Sequence, residues 1–185
     1  MTDLAQLWLP ILLSAVLVFV ASSLIHMVFK WHNSDYRKLA NEAAVAAALR
    51  AGAPSPGLYT LPHCMDMKDL QDADMQARFR EGPVAMITVR PPGMPAMGGL
   101  LLQWFAFNLL LAVAIAVLVL YTYGRQGDPA AIGHLAGVVA FLAYGAGSIP
   151  NAIWMGKPWP TVIKDLLDAL IYGAVTGVAF WQLWP

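Results

Sequence analysis

The chain has 185 residues, of which 59% are hydrophobic and only 12% are charged, whereas a soluble globular domain carries about 25% charged residues. Eleven Lys and Arg balance eleven Asp and Glu, so no overall charge attracts the chain to nucleic acid. The composition therefore argues against a soluble domain and a nucleic-acid partner, and it favours an integral membrane protein whose main partner is the lipid bilayer.

The first unit, residues 1–29, contains the uncharged run LWLPILLSAVLVFVASSLIHMVF at 7–29. Its length matches the roughly 20 residues needed to cross the hydrocarbon core, so it predicts a transmembrane helix. A cleaved signal peptide is the competing interpretation. A retained helix is favoured because Asp3 and no basic residue precedes the run, which is longer than the apolar core of about 7–15 residues in a signal peptide.

The second unit, residues 30–98, is a connection of about 68 residues that holds eight of the eleven basic residues. Ser34 is predicted to cap a first short helix that ends near Arg50 and Gly52, before a turn-rich linker at 51–57. Asp66 or Asp69 is predicted to cap a second helix that runs to Glu81. The run VAMITV then predicts a short β-like segment. We expect this connection to dock against the helix ends because it is too polar to build a large core alone.

The third unit, residues 99–185, predicts three further transmembrane helices at about 99–123, 130–149 and 161–184. Aromatic side chains at both ends of the second helix are typical of membrane interfaces. Pro150 and Asn151 are predicted to break the chain after the third helix. The predicted fold class is therefore an all-α integral membrane protein with four transmembrane helices.

The distribution of basic residues predicts the orientation of these helices. Lys30, Arg37 and Lys38 directly follow the first helix, and no basic residue precedes it. Because Lys and Arg accumulate on the cytoplasmic side, we expect ten of the eleven basic residues to face the cytoplasm and only Arg125 to face outward. Both termini are then expected to be periplasmic.

This orientation places several polar residues at one depth in the inner leaflet. The candidate ion or proton site comprises Asp168, Asp165, His26, Lys164 and Asn108. Ionisable groups inside spans usually face a protein interior or water, so these residues favour a proton or cation site. The structural alternative is preferred: Thr161 caps the fourth helix, its dipole stabilises the two carboxylates, and Lys164 extends to the interface.

A second candidate cluster lies in the connection, where HCMDM places imidazole, thiol, thioether and carboxylate groups within five residues. The candidate metal ligands are His63, Cys64, Met65 and Met67. Soft ligands suit copper, and imidazole with thiolate suits zinc. No second Cys or His stands at a recognised ligand spacing, and methionine also packs adaptably. We therefore expect no cofactor, with copper or zinc as the alternative.

Small residues four apart form stripes on the third and fourth helices. The stripe residues are Gly133, Gly137, Ala169, Gly173 and Gly177. Such stripes let helix backbones approach closely in lipid. Packing of the third and fourth helices as an antiparallel hairpin is the preferred interpretation, and homodimerisation is the second. A homo-oligomer or a larger membrane complex is the expected assembly.

No nucleophile motif, glycine-rich phosphate loop or catalytic carboxylate spacing occurs in the sequence, so an enzyme is not expected. The preferred function is an accessory or structural membrane protein that packs through its glycine stripes. The alternative is a small oligomeric proton or cation transporter or channel that uses the inner-leaflet acidic residues. A copper- or zinc-binding membrane protein is the second alternative.

Four sequence stretches also resemble those of a known group of proteins. They are LPHC, GPVAMITVRPPG, SIPNAIWMGKPW and DALIYG. Together they resemble a family of small, uncharacterised bacterial polytopic membrane proteins. The resemblance implies a location in the bacterial inner membrane and assigns no activity or site residues.

Overall fold

The computed structural model of the chain describes residues 2–185. These residues divide into two compact units. The first unit combines the residues up to 36 with residues 96–185, and the second unit comprises residues 37–95. The polar residues singled out as an ion or proton site all belong to the first unit.

Eight α-helices and two strands account for most of the described residues. The helices are α1 (Thr2–Ala5), α2 (Trp8–Ser23), α3 (Glu42–Gly52), α4 (Ala73–Glu81), α5 (Met97–Tyr123), α6 (Pro129–Gly145), α7 (Ser148–Met155) and α8 (Trp159–Leu183). The strands are β1 (Gly57–Leu61) and β2 (Ala85–Val89). A π-helical segment (Leu24–Phe29) extends α2, and 3₁₀ helices form at Trp31–Asp35 and Asp69–Gln71.

Four helical segments are long and apolar enough to cross a membrane, as the sequence predicts. They are Trp8–Phe29, Met97–Tyr123, Pro129–Met155 and Trp159–Leu183. Large apolar side chains cover their outer faces: Leu102 is 69% exposed and Leu110 is 71% exposed, while Asn108 between them is fully buried. A soluble monomer rarely exposes such extended apolar surface, so this pattern fits a multi-pass membrane protein.

The break in the third apolar segment lies earlier than predicted. Helix α6 ends at Gly145, and α7 begins at Ser148, so Pro150 and Asn151 lie inside a helix and do not end one. Proline is tolerated in the first turn of a helix because the N–H groups there have no intrahelical acceptor. The Asn151 amide donates to the carbonyl of Gly147 at 3.0 Å. This hydrogen bond links the first turn of α7 to the residues between α6 and α7.

The predicted helix caps are also wrong in detail. Thr161 lies inside α8, which begins at Trp159 after Pro158 in an extended conformation. Ser34 lies within a 3₁₀ helix and does not cap α3.

The N-cap of α4 is Asp72, and not Asp66 or Asp69; the Asp72 side chain accepts from the N–H of Asp74 at 3.3 Å. Several Asp residues lie close together before α4, and only the backbone conformation of each one decides which acts as the cap.

The four apolar segments form a four-helix arrangement in which α2 and α6 each contact both α5 and α8. The main apolar core of this unit contains Ile115, Val119, Ile132 and Phe180. A second cluster of Val18, Ile25 and Tyr172 packs with Trp31, Trp104 and Tyr144. The aromatic cluster adjoins the polar residues of the candidate site.

The glycine stripes lie where α6 and α8 pack against each other. A Cβ atom at Gly133 would lie 2.8 Å from the carbonyl oxygen of Gly177, and one at Gly173 would lie 2.7 Å from that of Gly137. The residue numbers run in opposite directions along this contact, so the two helices are antiparallel. Ala169 faces Gly145 at the next contact, where an added Cβ would lie 2.8 Å from the Ala169 methyl.

The second unit contains a two-stranded antiparallel sheet together with α3 and α4. Strand β1 pairs with β2 from Gly57 opposite Val89 to Leu61 opposite Ala85. The predicted β-like segment corresponds to β2. Its partner β1 was not predicted, because a short strand is selected by pairing with a distant segment and not by its own sequence.

Candidate functional site

The chain reverses direction sharply at the end of the first apolar segment. The π-helical turn at Leu24–Phe29 is followed by Lys30 in a left-handed conformation with φ of 54°. The 3₁₀ helix Trp31–Asp35 then folds back, so that the rings of His26 and His32 stack 4.8 Å apart and within 6° of parallel. π-Helical turns and left-handed non-glycine residues are both concentrated at functional sites.

Both histidine rings turn an edge towards Asp168 on α8. The Asp168 Oδ2 atom lies 2.9 Å from His32 Nε2 and 3.9 Å from His26 Nε2. Asp168 is only 5% exposed, and its other oxygen, Oδ1, is buried without a hydrogen-bond partner. We call His26, His32 and Asp168 the Asp168 cluster; their ligand atoms lie within 4.8 Å of one another.

The outer nitrogen of each ring has its own acceptor. His26 Nδ1 donates to the Ser22 carbonyl at 3.0 Å, since a carbonyl oxygen can only accept. His32 Nδ1 lies 2.7 Å from Asp35 Oδ2. A neutral ring that donates through Nδ1 keeps its lone pair on Nε2. The Asp168 cluster therefore brings two imidazole nitrogens and one carboxylate close together, with the two rings stacked in parallel and His32 Nε2 at hydrogen-bond distance from Asp168 Oδ2.

Lys164 fixes the segment that carries His32. Its ammonium group donates to the Trp31 carbonyl at 2.8 Å, to Ser34 Oγ at 2.8 Å and to Asp35 Oδ1 at 2.5 Å. The hydrogen bond from Lys164 holds the pKa of the Asp35 carboxyl below its usual value against the opposing effect of burial, and His32 contributes in the same direction. All three ammonium protons are used, so Lys164 does not extend freely to the interface as the sequence predicted.

Asp165 lies apart from the Asp168 cluster. Its Oδ2 atom accepts hydrogen bonds from Lys157 and Ser148. Gly156 adopts a left-handed conformation with φ of 69°, and the chain reversal after α7 lets Lys157 return to α8. Because Lys157 pairs with the charge of Asp165, the two acidic residues of the predicted site have different environments.

A cavity of about 530 Å³ connects these two groups of residues. Its polar wall includes His26, Ser148, Lys157, Asp165 and Asp168, and aromatic side chains complete it. An apolar cavity with a few convergent polar groups is the usual form of a binding site. His26 and Asp168 of the Asp168 cluster therefore border this cavity, whereas His32 does not line it.

Asn108 is not part of this site. It is fully buried in α5 and accepts a hydrogen bond from the Tyr144 hydroxyl at 3.1 Å, while its Nδ2 atom has no partner. The pair joins α5 to α6 in the interior of the four-helix unit. The Asn108 side chain therefore stabilises packing and does not line the cavity.

We expect Tyr144→Phe to lower the free energy of unfolding by about 1–3 kcal/mol, because it leaves the buried Asn108 amide with no partner at either atom. Unfolding in mixed detergent micelles measures the change. Tyr121→Phe is the matched control, because Tyr121 is 89% exposed and its replacement is expected to change stability by less than about 0.5 kcal/mol. Equal stability of the two variants would contradict the role of this pair.

The predicted copper or zinc cluster lies in the second unit. His63 Nδ1 lies 3.2 Å from Thr60 Oγ1, and the Cys64 thiol lies 3.5 Å from the Asp66 carbonyl. Met65 and Met67 are exposed. Within residues 2–185, the one group of three or more His, Cys, Asp or Glu side chains with metal-binding geometry is the Asp168 cluster. Metal binding by the HCMDM residues stays a prediction.

His32 and Asp35 were missed by the sequence predictions. The signal was present, because WHNSD directly follows the first apolar run and carries a histidine and an acid. The reversal at Lys30 could not be foreseen from the sequence, since lysine does not favour the left-handed conformation. A continued helix or an extended chain would have carried His32 away from His26.

No family model, curated protein or solved structure matches this chain. The resemblance to small bacterial polytopic membrane proteins therefore stays a prediction.

Proposed function

We propose that this protein is a multi-pass protein of the bacterial inner membrane that binds a cation at the Asp168 cluster and carries it across the bilayer as a small transporter or channel. The observation that carries the proposal is the state of Asp168. This carboxylate lies two turns inside an apolar helix, is 5% exposed, and has one oxygen without a hydrogen-bond partner.

Burying such a group is costly unless something compensates for it. Two histidines beside Asp168 supply nitrogen atoms but no fixed positive charge, whereas Lys164 and Lys157 are already paired with Asp35 and Asp165. Within residues 2–185, the charged contacts of the Asp168 carboxylate are therefore the two histidines, and neither lysine of the site pairs with it. A cation that enters from the cavity would supply that charge.

The orientation of the chain is part of this proposal. The concentration of Lys and Arg in residues 30–98 supports a cytoplasmic connection and periplasmic termini. The Asp168 cluster adjoins the residues that follow the first apolar segment, so the cavity would then open near the cytoplasmic face. Loading from that side is the direction that this orientation favours.

An accessory or structural role, the function preferred from the sequence, stays a prediction. Its main support was the pair of glycine stripes, but these glycines face each other between α6 and α8 within one chain. Packing within one chain therefore accounts for the stripes without a second copy. Cation binding is supported instead by the buried Asp168 carboxylate, which has one oxygen without a hydrogen-bond partner.

The test is flux through liposomes that contain the purified full-length protein, with interior dyes for protons, K⁺ and Zn²⁺. We expect flux of at least one of these cations above that of protein-free liposomes. Asp168→Asn, which keeps the shape of the side chain and removes its charge, is expected to reduce that flux at least about tenfold, because a loss of only about 1.4 kcal/mol in cation binding is a factor of ten.

Asp128→Asn is the matched control. Asp128 caps α6 by accepting from the N–H of Ala131 at 2.8 Å, and asparagine caps helices equally well, so the flux is expected to stay unchanged. Flux of no cation above the protein-free level would reject transport. Flux that is equal in the wild type and in Asp168→Asn would reject the site.

A further inference from the structure

We infer that the cation bound by the Asp168 cluster is a divalent transition-metal ion of the zinc class, ligated by His26 Nε2, His32 Nε2 and the carboxylate of Asp168. This inference rests on the proposed function and names its ligand. It is independent of the HCMDM residues, which belong to the other unit of the chain.

The nature of the donor atoms selects the metal. Imidazole nitrogen suits zinc, iron, copper and nickel, whereas magnesium and calcium prefer sites made of oxygen ligands. Two imidazoles with one carboxylate form the ligand set of several open zinc and iron sites. The cluster offers this set, and the adjoining cavity leaves room for water or a second ligand at the remaining position.

The distances are close to those of a bound metal. Zinc ligands at about 2.0–2.1 Å in tetrahedral geometry lie about 3.3 Å from one another. The His32 Nε2 to Asp168 Oδ2 distance of 2.9 Å is slightly shorter than this value, and the His26 Nε2 to Asp168 Oδ2 distance of 3.9 Å is slightly longer. The ligand atoms of the cluster lie within 4.8 Å of one another, and the two rings are stacked within 6° of parallel. Because an imidazole lone pair lies in the plane of its ring, metal binding requires at least one ring to rotate until both lone pairs point at the metal.

The outer contacts of the two histidines match those of metal-bound histidines. In metal sites the non-ligating ring nitrogen almost always donates to a carboxylate or a backbone carbonyl, which fixes the tautomer and the ring orientation. His32 Nδ1 contacts the Asp35 carboxylate and His26 Nδ1 contacts the Ser22 carbonyl. With Nδ1 as the donor, each Nε2 can offer its lone pair to a metal, which at His32 would replace the 2.9 Å hydrogen-bond contact between Nε2 and Asp168. Lys164 holds Asp35 in turn.

The buried Asp168 Oδ1 atom is an independent observation that points to a ligand. Its side chain is more than nine-tenths buried, yet this oxygen has no hydrogen-bond partner among the described residues. Buried carboxylate oxygens normally accept hydrogen bonds or coordinate metal ions. A metal held by both carboxylate oxygens would give Oδ1 the partner that it lacks, and it would supply the positive charge that offsets the cost of burying the carboxylate.

The test is equilibrium dialysis of the purified full-length protein in detergent, stripped with a chelator, against Zn²⁺ and, separately, Mg²⁺. We expect one Zn²⁺ per chain and no stoichiometric Mg²⁺ at the same concentration. Co²⁺ serves as a spectroscopic probe, because its visible absorption bands report coordination by nitrogen and oxygen ligands.

Variants assign the bound metal to the site. His26→Ala is expected to weaken Zn²⁺ binding at least about tenfold, and Asp35→Asn, which changes the partner shared by His32 and Lys164, about 10–100-fold. The His26 side chain is 51% exposed, so its removal is compatible with folding. His134→Ala, which removes an exposed histidine on α6, is the matched control and is expected to bind normally.

The outcomes separate this inference from the proposed function. Absence of stoichiometric Zn²⁺ binding, or binding that His26→Ala and Asp168→Asn both leave unchanged, would overturn the metal site. Loss of Zn²⁺ only in the His63→Ala, Cys64→Ala double variant would overturn it in favour of the other cluster. If Zn²⁺ does not bind while proton or K⁺ flux still depends on Asp168, the metal inference fails and the proposed transport stands.

Discussion

Replacing Gly177 by leucine is expected to lower the free energy of unfolding by about 3 kcal/mol, the upper part of the usual range for overpacking. A Cβ atom at this position would lie 2.8 Å from the Gly133 carbonyl oxygen and 3.3 Å from the Gly137 Cα. Both are backbone atoms of α6, so no flexible side chain can move aside. The two helices would have to separate along their contact.

Unfolding of the full-length protein in mixed detergent micelles, followed by circular dichroism, measures this change. Gly99→Leu is the control, because Gly99 lies in the first turn of α5 and an added Cβ would have no neighbour within 4 Å. Its replacement is expected to be neutral or slightly stabilising, since leucine favours helices more than glycine does. A Gly177→Leu protein as stable as Gly99→Leu would show that α6 and α8 do not approach as closely as described.

Lys164→Met is expected to destabilise the reversal after the first apolar segment by about 3 kcal/mol, the lower end of the range for breaking a buried ion pair. Three hydrogen bonds to the 3₁₀ helix are lost. The Asp35 carboxylate, whose side chain is only 7% exposed, is left without its lysine. Hydrogen exchange at the backbone amides of residues 31–36 is expected to accelerate more than at the amides of α5.

A double variant and a surface control sharpen this prediction. The double variant Lys164→Met, Asp35→Asn also removes the carboxylate that Lys164→Met leaves unpaired. It is expected to restore at least half of the lost stability, because the cost of the single variant lies in that unpaired carboxylate. Lys38→Met breaks only an exposed pair with Glu42 at 3.9 Å, so it is expected to change stability by less than about 0.5 kcal/mol. Equal effects of Lys164→Met and Lys38→Met would contradict the anchoring role of Lys164.

The two polar groups around the cavity illustrate how far the candidate site could be predicted. Positive-inside reasoning and hydropathy placed His26, Asp165 and Asp168 at one depth, and the structure places all three on one cavity. For Asp165 and Asp168, a spacing of three residues on one helix was enough to predict that both side chains lie on the same side of α8. Their different partners were not predictable. Asp165 pairs with Lys157, which lies in the chain reversal before α8, whereas Asp168 contacts the rings of His26 and His32.

Length and apolar composition by themselves determined that this chain has four helices able to cross a membrane, because lipid demands long runs of uncharged residues whose backbones bond internally. The tertiary structure alone decided which polar side chains meet. His32 reaches Asp168 across 136 positions of sequence, through a reversal at a lysine that no local preference favours. Contacts of that kind depend on how helices pack, and packing is a property of the whole chain that no local pattern encodes.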